Sequence, residues 1–519
     1  MADDGAPARR TVADLIREHA GTAGDARFLV TDDDHLTYAD LDAHTRAVAA
    51  AIVRAGAGKG ARVGLLAPNG IDWAVAALGI VRAGCVLVPL STFLRPPELR
   101  AQLATAGVGH LVTVPAFRDH DYLADLAAIG PDLPRLRGVT RLADLLAAAA
   151  DGRVDPAHAD ALDACVRPAD DLCVIFTSGS RGAPKGVIHT HGGALGAVTA
   201  SLGPRGIGAD DRLYIPMPFF WMGGFGGGLL SVLVAGATLI TEAEPEPART
   251  LALLERERVT LFRGWPDQAA ALAGHPAFAS TDLSSLKAGS LDAVLPPALR
   301  RPPGARSNLF GMTESFGPYC ADPLDTDLPD GKWGACGRPF PGTEVQVVDV
   351  DTGAVVPADT VGEIRLRGPN LMRGIVGRTR AEVFTPDGFY PTGDLGRLDA
   401  DGYLFYAGRR DDMLKVKGAT VYPSEVEAAL AGIPGVRRAL VVDLDVDGTV
   451  AIGAAVVCAP DAALTVDDLA REAKARLSAF KVPSRWAVVD AAAVPMTVTG
   501  KVDKAGLQAL LRDGGRVGS

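Results

Sequence analysis

The stretch Thr177-Ser178-Gly179-Ser180-Arg181-Gly182-Ala183-Pro184-Lys185-Gly186 follows the apolar run Cys173 to Phe176 and decides how this chain is read. Glycine lets the backbone approach an anion and turn its N–H groups toward it, while Thr177, Ser178, Ser180 and Lys185 add hydroxyl donors and a cation. A strand that delivers such a loop suits the phosphate tail of a nucleotide. The usual P-loop needs Gly directly before Lys-Ser/Thr, whereas here Pro184 precedes Lys185 and Gly186 follows it. Alone, the stretch reads equally as a Gly/Ser surface turn, so the remaining residues must decide.

At 519 residues the chain exceeds what one hydrophobic core organises, so two or more domains are expected. Its 48% apolar and 22% charged residues are those of a soluble globular protein. A net charge of -10 argues against nucleic-acid binding. The six cysteines (Cys85, Cys165, Cys173, Cys320, Cys336, Cys458) form no CxxC pair and no Cys/His cluster, which points to a reducing cytoplasm. His189 and His191 have no accompanying carboxylate motif and read as loop or supporting residues rather than metal ligands. The first residues lack the apolar core of a signal peptide. Leu213 to Thr241 carries no charge, but Pro216, Pro218 and its glycines break a spanning helix, so a buried wall of small residues is expected instead of a membrane span.

Apolar spacing at Leu41, Val48 and Ile52 predicts a helix after Leu36-Thr37-Tyr38. A strand at Val63 to Leu66, a helix from Trp73 to Arg82 and a strand from Cys85 to Val88 follow. This alternation predicts a layered, mainly parallel α/β sheet. The Ala-rich run Leu142 to Ala150 predicts a helix, followed by a loop with Asp and Pro leading into the phosphate-binding strand. From Gly362 to Arg367 and through Tyr403 to Tyr406 the pattern becomes short strands with Gly/Pro/Asp turns, a smaller β-rich subdomain. Ser424 to Ala431 (helix), Ala439 to Asp443 and Val450 to Val457 (strands) and Val466 to Phe480 (helix) form a compact α+β unit. The domains expected are therefore 1–408 and 409–519, with the boundary near Gly408 to Asp411.

Four further segments carry chemistry. In Asn308-Leu309-Phe310-Gly311-Met312-Thr313-Glu314 an aromatic can stack on a purine, Thr313 can bond a phosphate oxygen and Glu314 can hold a hard cation such as Mg²⁺. Tyr390-Pro391-Thr392-Gly393-Asp394 offers a carboxylate to ribose hydroxyls. Gly408 to Gly418, with Arg409, Asp411, Lys415 and Lys417, is denser in charge than a linker requires, and Pro495 to Lys501 sets a lysine on a glycine turn. Each alone reads equally as an ordinary turn or solvated hinge.

Together and in this order, these segments resemble the adenylate-forming superfamily of acyl-CoA synthetases, adenylation domains and luciferases, over nearly the whole chain. The resemblance implies a large N-terminal domain of layered α/β subdomains plus a β-barrel-like subdomain, and a small mobile α+β C-terminal domain. It implies a carboxylic acid, ATP with Mg²⁺, and CoA as reaction partners, with AMP released after an acyl-adenylate forms. The phosphate loop from Thr177 through Gly179, Arg181 and Gly182 to Lys185 would hold the β- and γ-phosphates, with Thr313 on the α-phosphate and Glu314 on the metal. Phe310, Gly311 and Gly289 would border the nucleotide, while Asp394 and Arg409 would fix the ribose. Lys501 would bridge carboxylate and α-phosphate. Asp411 would be the hinge, and Lys415, Lys417 and Gly418 would shape the pantetheine channel. Phe220, Trp221, Gly223, Gly224 and Gly289 would line an acyl pocket, roomy and apolar, for a bulky hydrophobic acid. The short span between Asp394 and Arg409 leaves no room for the insertion of fatty acyl-AMP ligases, which favours CoA over a carrier protein. Secondary metabolism is a suitable setting, and homodimerisation is left open.

Two positions depart from the family's pattern. Arg181 stands where a small hydroxyl residue is usual, and Trp221 where many relatives carry histidine. Both bear on adenylation, so three alternatives stand beside an acyl-CoA ligase. These are an enzyme forming thioesters only from a ready-made acyl-adenylate, a carrier-loading ligase, and a non-catalytic adenylate-binding protein.

Overall fold

The computed structural model describes residues 10–152, 155–177, 185–410, 414–416, 419–421, 423–446, 449–462, 464–477, 481–497, 502–513 and 516–517. The fold is mixed α/β, with a large N-terminal and a smaller C-terminal domain. By packing it divides into two compact units: Met1–Val345, Leu366–Pro391 and Gly402–Leu404 form one, and Gln346–Arg365, Thr392–Asp401 and Phe405–Ser519 the other.

The larger unit is built on two sheets. One has seven strands in the order Gly374–Ile375, Lys185–Thr190, Asp171–Thr177, Val86–Pro89, Arg62–Leu66, His110–Thr113, Gly138–Arg141. From Asp171–Thr177 outward to Gly138–Arg141 neighbours run parallel, and Val86–Pro89 is buried at every position, as a strand covered by helices on both faces must be. The second sheet orders Leu261–Phe262, Arg212–Tyr214, Thr238–Ile240, Arg27–Val30 and His35–Thr37, parallel except for its last pair. The helix Tyr38–Arg54 starts at Leu36-Thr37-Tyr38 because Thr37 and Asp40 form a reciprocal capping box.

The residues after 150, expected as a loop, contain the helix Pro156–Cys165. Asp155 accepts a hydrogen bond from the Ala157 N–H, and proline occupies the first turn, where its missing N–H costs nothing. The Asp-Pro pair is thus a helix start rather than a turn. This helix is locked by one buried ion pair. Arg82 donates from Nε and Nη2 to both carboxylate oxygens of Asp163 at 2.7 Å, and both side chains are 1% exposed. Its Nη1 reaches Thr45 Oγ1 at 2.9 Å and pairs with Asp42 at 2.8 Å. One guanidinium therefore joins three helices.

His189 and His191, read from sequence as loop or supporting residues, lie not in loops but in regular structure: His189 is in the strand Lys185–Thr190, and His191 begins the helix His191–Leu202. Both are buried. The uncharged stretch Leu213 to Thr241 is broken into strand, π-helix (Phe225–Leu230), short helix (Ser231–Ala235) and strand. Among the described residues no helix is long and apolar enough to cross a membrane.

In the smaller unit, Val436–Val446 pairs antiparallel with Thr449–Cys458, which runs parallel to Arg485–Val488. Trp486, fully buried, packs there with Val426, Leu430, Leu469 and Ala473 from the helices Pro423–Ala431 and Val466–Arg476.

Removing one partner of a buried pair strands the other charge. Arg82→Met should therefore lower stability by about 3–5 kcal/mol, and adding Asp163→Leu should recover much of that loss in chemical denaturation.

Candidate functional site

The strands Asp171–Thr177 and Lys185–Thr190 pair antiparallel from His189 opposite Cys173 to Lys185 opposite Thr177. The ladder closes on the two residues that bracket the glycine loop, so both ends of that loop are fixed by main-chain pairing. Ser178, Gly179, Ser180, Arg181 and Gly182 lie outside the described residues.

The same strand supports the second motif. Phe310–Met312 pairs with Gly317–Cys320 so tightly that a side chain at Gly311 would meet the Gly317 carbonyl oxygen at 2.2 Å; only glycine fits. Thr313–Ser315 form one tight turn, and Phe316 follows in the left-handed region at φ 54°. The Phe316 ring is buried edge-on against His189 at 4.8 Å. His189 Nε2 donates to the Thr313 carbonyl at 2.8 Å, and Nδ1 has no partner. That bond places the proton on Nε2 of a neutral ring, because burial pushes the His189 pKa down to about 3.

Glu314, 8% exposed, accepts from Tyr390 Oη at 3.1 Å through Oε1, and its carbonyl accepts from the Met372 N–H at 2.8 Å. A single buried carboxylate beside a phosphate suits Mg²⁺, which takes one or two protein carboxylates and fills its other positions with phosphate oxygens and water. Among the described residues no cluster of three His, Cys, Asp or Glu side chains forms a self-sufficient metal site.

Phe220 and Trp221 belong to an aromatic group in which Trp221 meets Trp265 at 5.7 Å, Phe93 at 5.9 Å and Phe220 at 5.4 Å. The expectation that the neighbouring glycines leave space needs revision at two positions. A Cβ at Gly224 would lie 2.1 Å from the Pro218 carbonyl oxygen, and one at Gly223 would lie 2.3 Å from Met217 Sδ. Close packing against main chain requires glycine at Gly224, and at Gly223 the space is taken by the Met217 side chain. Gly289 lies beside Arg263, whose Nη2 would be 3.0 Å from an added Cβ.

In the smaller unit Asp394 and Arg409 are paired: Arg409 Nη1 donates to Asp394 Oδ1 at 2.8 Å and to the Thr392 carbonyl at 3.1 Å. The Thr392 hydroxyl donates to the Ile364 carbonyl and accepts from the Asp394 N–H, so the turn carrying the carboxylate is braced from both sides. Leu414–Val416 pairs with Ala419–Val421, Lys415 opposite Thr420. The Lys415 side chain, Lys417, Gly418, Asp411 and Lys501 lie outside the described residues.

Sequence reasoning missed Tyr390, the buried Arg205 and the half-buried Arg263, and it named His189 as a supporting residue without naming what it supports. For His189 a signal existed: His189 and Val187 share one face of the strand and both are buried.

The family model of the AMP-binding enzymes matches residues 16–376, and that of the AMP-binding enzyme C-terminal domain matches 425–501. This chain belongs to the AMP-binding enzyme family. Among relatives of this AMP-binding enzyme is a 3-[(3aS,4S,7aS)-7a-methyl-1,5-dioxo-octahydro-1H-inden-4-yl]propanoyl:CoA ligase of Mycobacterium tuberculosis, 32% identical over 96% of this chain and 99% of the relative. Another is a feruloyl-CoA synthase of an Amycolatopsis species, 32% identical over 90% of this chain and 92% of its own. Among solved structures, ATP-bound MatB from Rhodopseudomonas palustris superposes with a TM-score of 0.80 at 25% identity, covering 96% of this chain and 99% of that one. The acid–thiol ligase class implied by the motifs is the class to which these relatives belong.

Burial holds His189 near 3 and His191 near 4, well below the 6.5 of an exposed imidazole. Between those values and pH 6.5 the unfolded chain binds protons that the folded chain refuses, so stability is full above pH 6.5 and falls on acidification through that window. His189→Phe should flatten this slope in thermal melts between about pH 4 and 6.5. It should also cost about 1–3 kcal/mol by leaving the Thr313 carbonyl without its donor.

Proposed function

We propose that this AMP-binding enzyme is an ATP-dependent acyl-CoA ligase acting on a bulky hydrophobic carboxylic acid. The observation that carries the proposal is the glycine loop bracketed by the Thr177–Lys185 pair, held in one unit with the His189-supported Thr313–Glu314 turn. Relatives named as CoA ligases match nearly end to end and support the reading.

A free carboxylate resists attack by a thiol, because oxide is a poor leaving group. In the first step a carboxylate oxygen attacks the α-phosphorus of ATP and pyrophosphate leaves. In the second the CoA thiol, having lost its proton, attacks the acyl carbon and AMP leaves. Charge develops on phosphate oxygens first, so donors must already be aimed there. Thr177, Lys185 and the intervening loop hold the pyrophosphate end, and Thr313 meets the α-phosphate. Glu314 would hold Mg²⁺, which would supply neutralisation of phosphate charge. Lys501 bridges the carboxylate and the α-phosphate. Asp394 and Arg409, pre-paired, present one acceptor and one donor edge to the ribose. The C-terminal domain, residues 409–519, turns about Asp411 between the steps, withdrawing Lys501 and presenting the Lys415 to Gly418 segment to pantetheine.

One observation favours a second reading. Trp221 is held among aromatic rings at the place where the family resemblance implies histidine, so the acid would meet an apolar surface there, and Arg181 stands in the glycine loop where the resemblance implies a small hydroxyl residue. An enzyme weak in the first step would still form thioester from a supplied adenylate.

Supplying acid with MgATP, or a synthetic acyl-adenylate, each with CoA, separates the readings when pyrophosphate and thioester are followed independently. Pyrophosphate and thioester from the acid are expected; thioester from the adenylate alone would establish the second reading. Lys501→Ala should lower pyrophosphate formation about 100-fold or more, and thioester formation from supplied adenylate far less. Arg181→Thr should raise pyrophosphate release.

A further inference from the structure

Arg205, buried, and Arg263, half-buried, are cations that the proposed reaction does not use. Arg205, 4% exposed, donates from Nη1 to Ser231 Oγ at 2.8 Å and from Nη2 to the Gly227 carbonyl at 2.5 Å. Ser231 Oγ in turn donates to the Gly226 carbonyl at 2.8 Å. These are carbonyls of the π-helix Phe225–Leu230, so Arg205 serves the fold by holding the wide turn that follows Trp221.

Arg263 serves no comparable purpose. Its guanidinium is deeply surrounded by protein, although the residue keeps some accessible surface. Nη2 donates to the Arg205 carbonyl at 2.6 Å, and Nε has no partner. Among the described residues neither guanidinium touches a carboxylate; Asp211, the acid that acts on Arg263 from a distance, is itself paired with Lys287 at 2.8 Å. Burial first, and Arg205 second, push the Arg263 pKa down to about 9, and burial pushes that of Arg205 to about 10. Two adjacent cations, one buried and one half-buried, without an anion are costly, and an incoming anion would relieve that cost.

The position of Arg263 says where such an anion would come from. The residue leaves the carboxyl end of the strand Leu261–Phe262, with its N–H on the Tyr214 carbonyl at the end of the parallel strand Arg212–Tyr214. Ligands of parallel sheets bind at that edge. Two residues on, Trp265 packs on Trp221, and on its other side Arg263 meets Gly289. Trp221 and Gly289 are both assigned to the acyl pocket.

We propose that Arg263 binds a second carboxylate on the acyl substrate, distal to the reacting one, so that the preferred acid is an aromatic or otherwise bulky dicarboxylic acid. This rests on the acyl-CoA ligase reading and on that pocket. The guanidinium fork matches a carboxylate with two parallel N–H···O bonds, which a ketone or hydroxyl cannot accept in the same way.

The test uses the full-length protein and acyl-sulfamoyl-adenosine mimics of the adenylate, matched in shape and ending in a carboxylate, a carboxamide or a methyl group. Dissociation constants are measured by calorimetry for the wild type, Arg263→Met and Arg263→Lys, with thermal melts to confirm folding. The carboxylate mimic should bind wild type at least about tenfold more tightly than the other two. Arg263→Met should abolish that preference and Arg263→Lys restore part of it. Equal affinities in the wild type, a carboxamide as tight as the carboxylate, or a uniform loss across all three mimics in a folded Arg263→Met would each overturn the proposal. Pyrophosphate release with monocarboxylic acids separates the two levels: its presence with no distal preference sinks only the dicarboxylate. Failure of every mimic to bind, with no thioester from any acid, sinks both.

Discussion

The antiparallel ladder between Asp171–Thr177 and Lys185–Thr190 is the constraint on which the larger unit's candidate site depends. It is an antiparallel pair attached to an otherwise parallel run of strands, which lets one short connection return the chain beside itself. At one end the ladder fixes Thr177 against Lys185; near the other it places His189 under Thr313. A slip of one residue would turn His189 to the opposite face and offset the loop's two ends together. The outer edge of the same strand pairs with Gly374–Ile375, and Met372, two residues before, holds the Glu314 carbonyl. The two ends of the glycine loop, Thr177 and Lys185, and the Thr313–Glu314 turn are thus positioned by one register.

The interior deals with its cations in three ways. His189 and His191 simply lose the proton, because an imidazole gives it up at modest cost when desolvated. Arg82 cannot do so cheaply, and it is matched instead by the Asp163 and Asp42 carboxylates. Arg205 has neither remedy and is solvated by the Gly227 carbonyl and the Ser231 hydroxyl. Neutral dipoles suffice for it because a π-helix leaves carbonyls turned away from ordinary helical partners. Arg263 is the least compensated of the series: its Nε is idle, as is that of Arg205, but it has a single carbonyl partner where Arg205 has a carbonyl and a hydroxyl.

Much of this was legible in the residues. The strands at Val63 and Gly362 and the helices at Trp73 and Ser424 follow from periodicity, and each forms within a few residues of its expected limits. The helix Pro156–Cys165 was obscured because Asp-Pro signals a turn and a helix start alike, and only the Arg82–Asp163 pair, which joins positions 81 residues apart, selects the helix. The motif residues announced themselves by type and order. Their supports were legible only in outline: His189 reads as a supporting residue, but that it acts on Thr313 from 124 residues away, and Tyr390 on Glu314 from 76, no local pattern encodes. Gly223 and Gly224 were visible as glycines, but whether a glycine opens space or admits a neighbour depends on what approaches it, here Met217 and Pro218.

The departure at Trp221 and the cation at Arg263 make physical sense together. A histidine beside the reacting carboxylate offers a polar contact that helps to orient the acid; an indole held by Phe93, Phe220 and Trp265 offers shape but little direction. An apolar wall alone allows a flat substrate to slide, and misplacement of the reacting atom by about 1 Å can cost 100-fold in rate. Orientation must then come from another point on the substrate, and the farther that point lies from the reacting carboxylate, the more tightly it fixes the angle of approach. On the proposed assignment Arg263 supplies that point. Its main chain is fixed at the end of a strand and its half-buried guanidinium is held on the Arg205 carbonyl, so part of the ordering and desolvation cost of binding is met during folding.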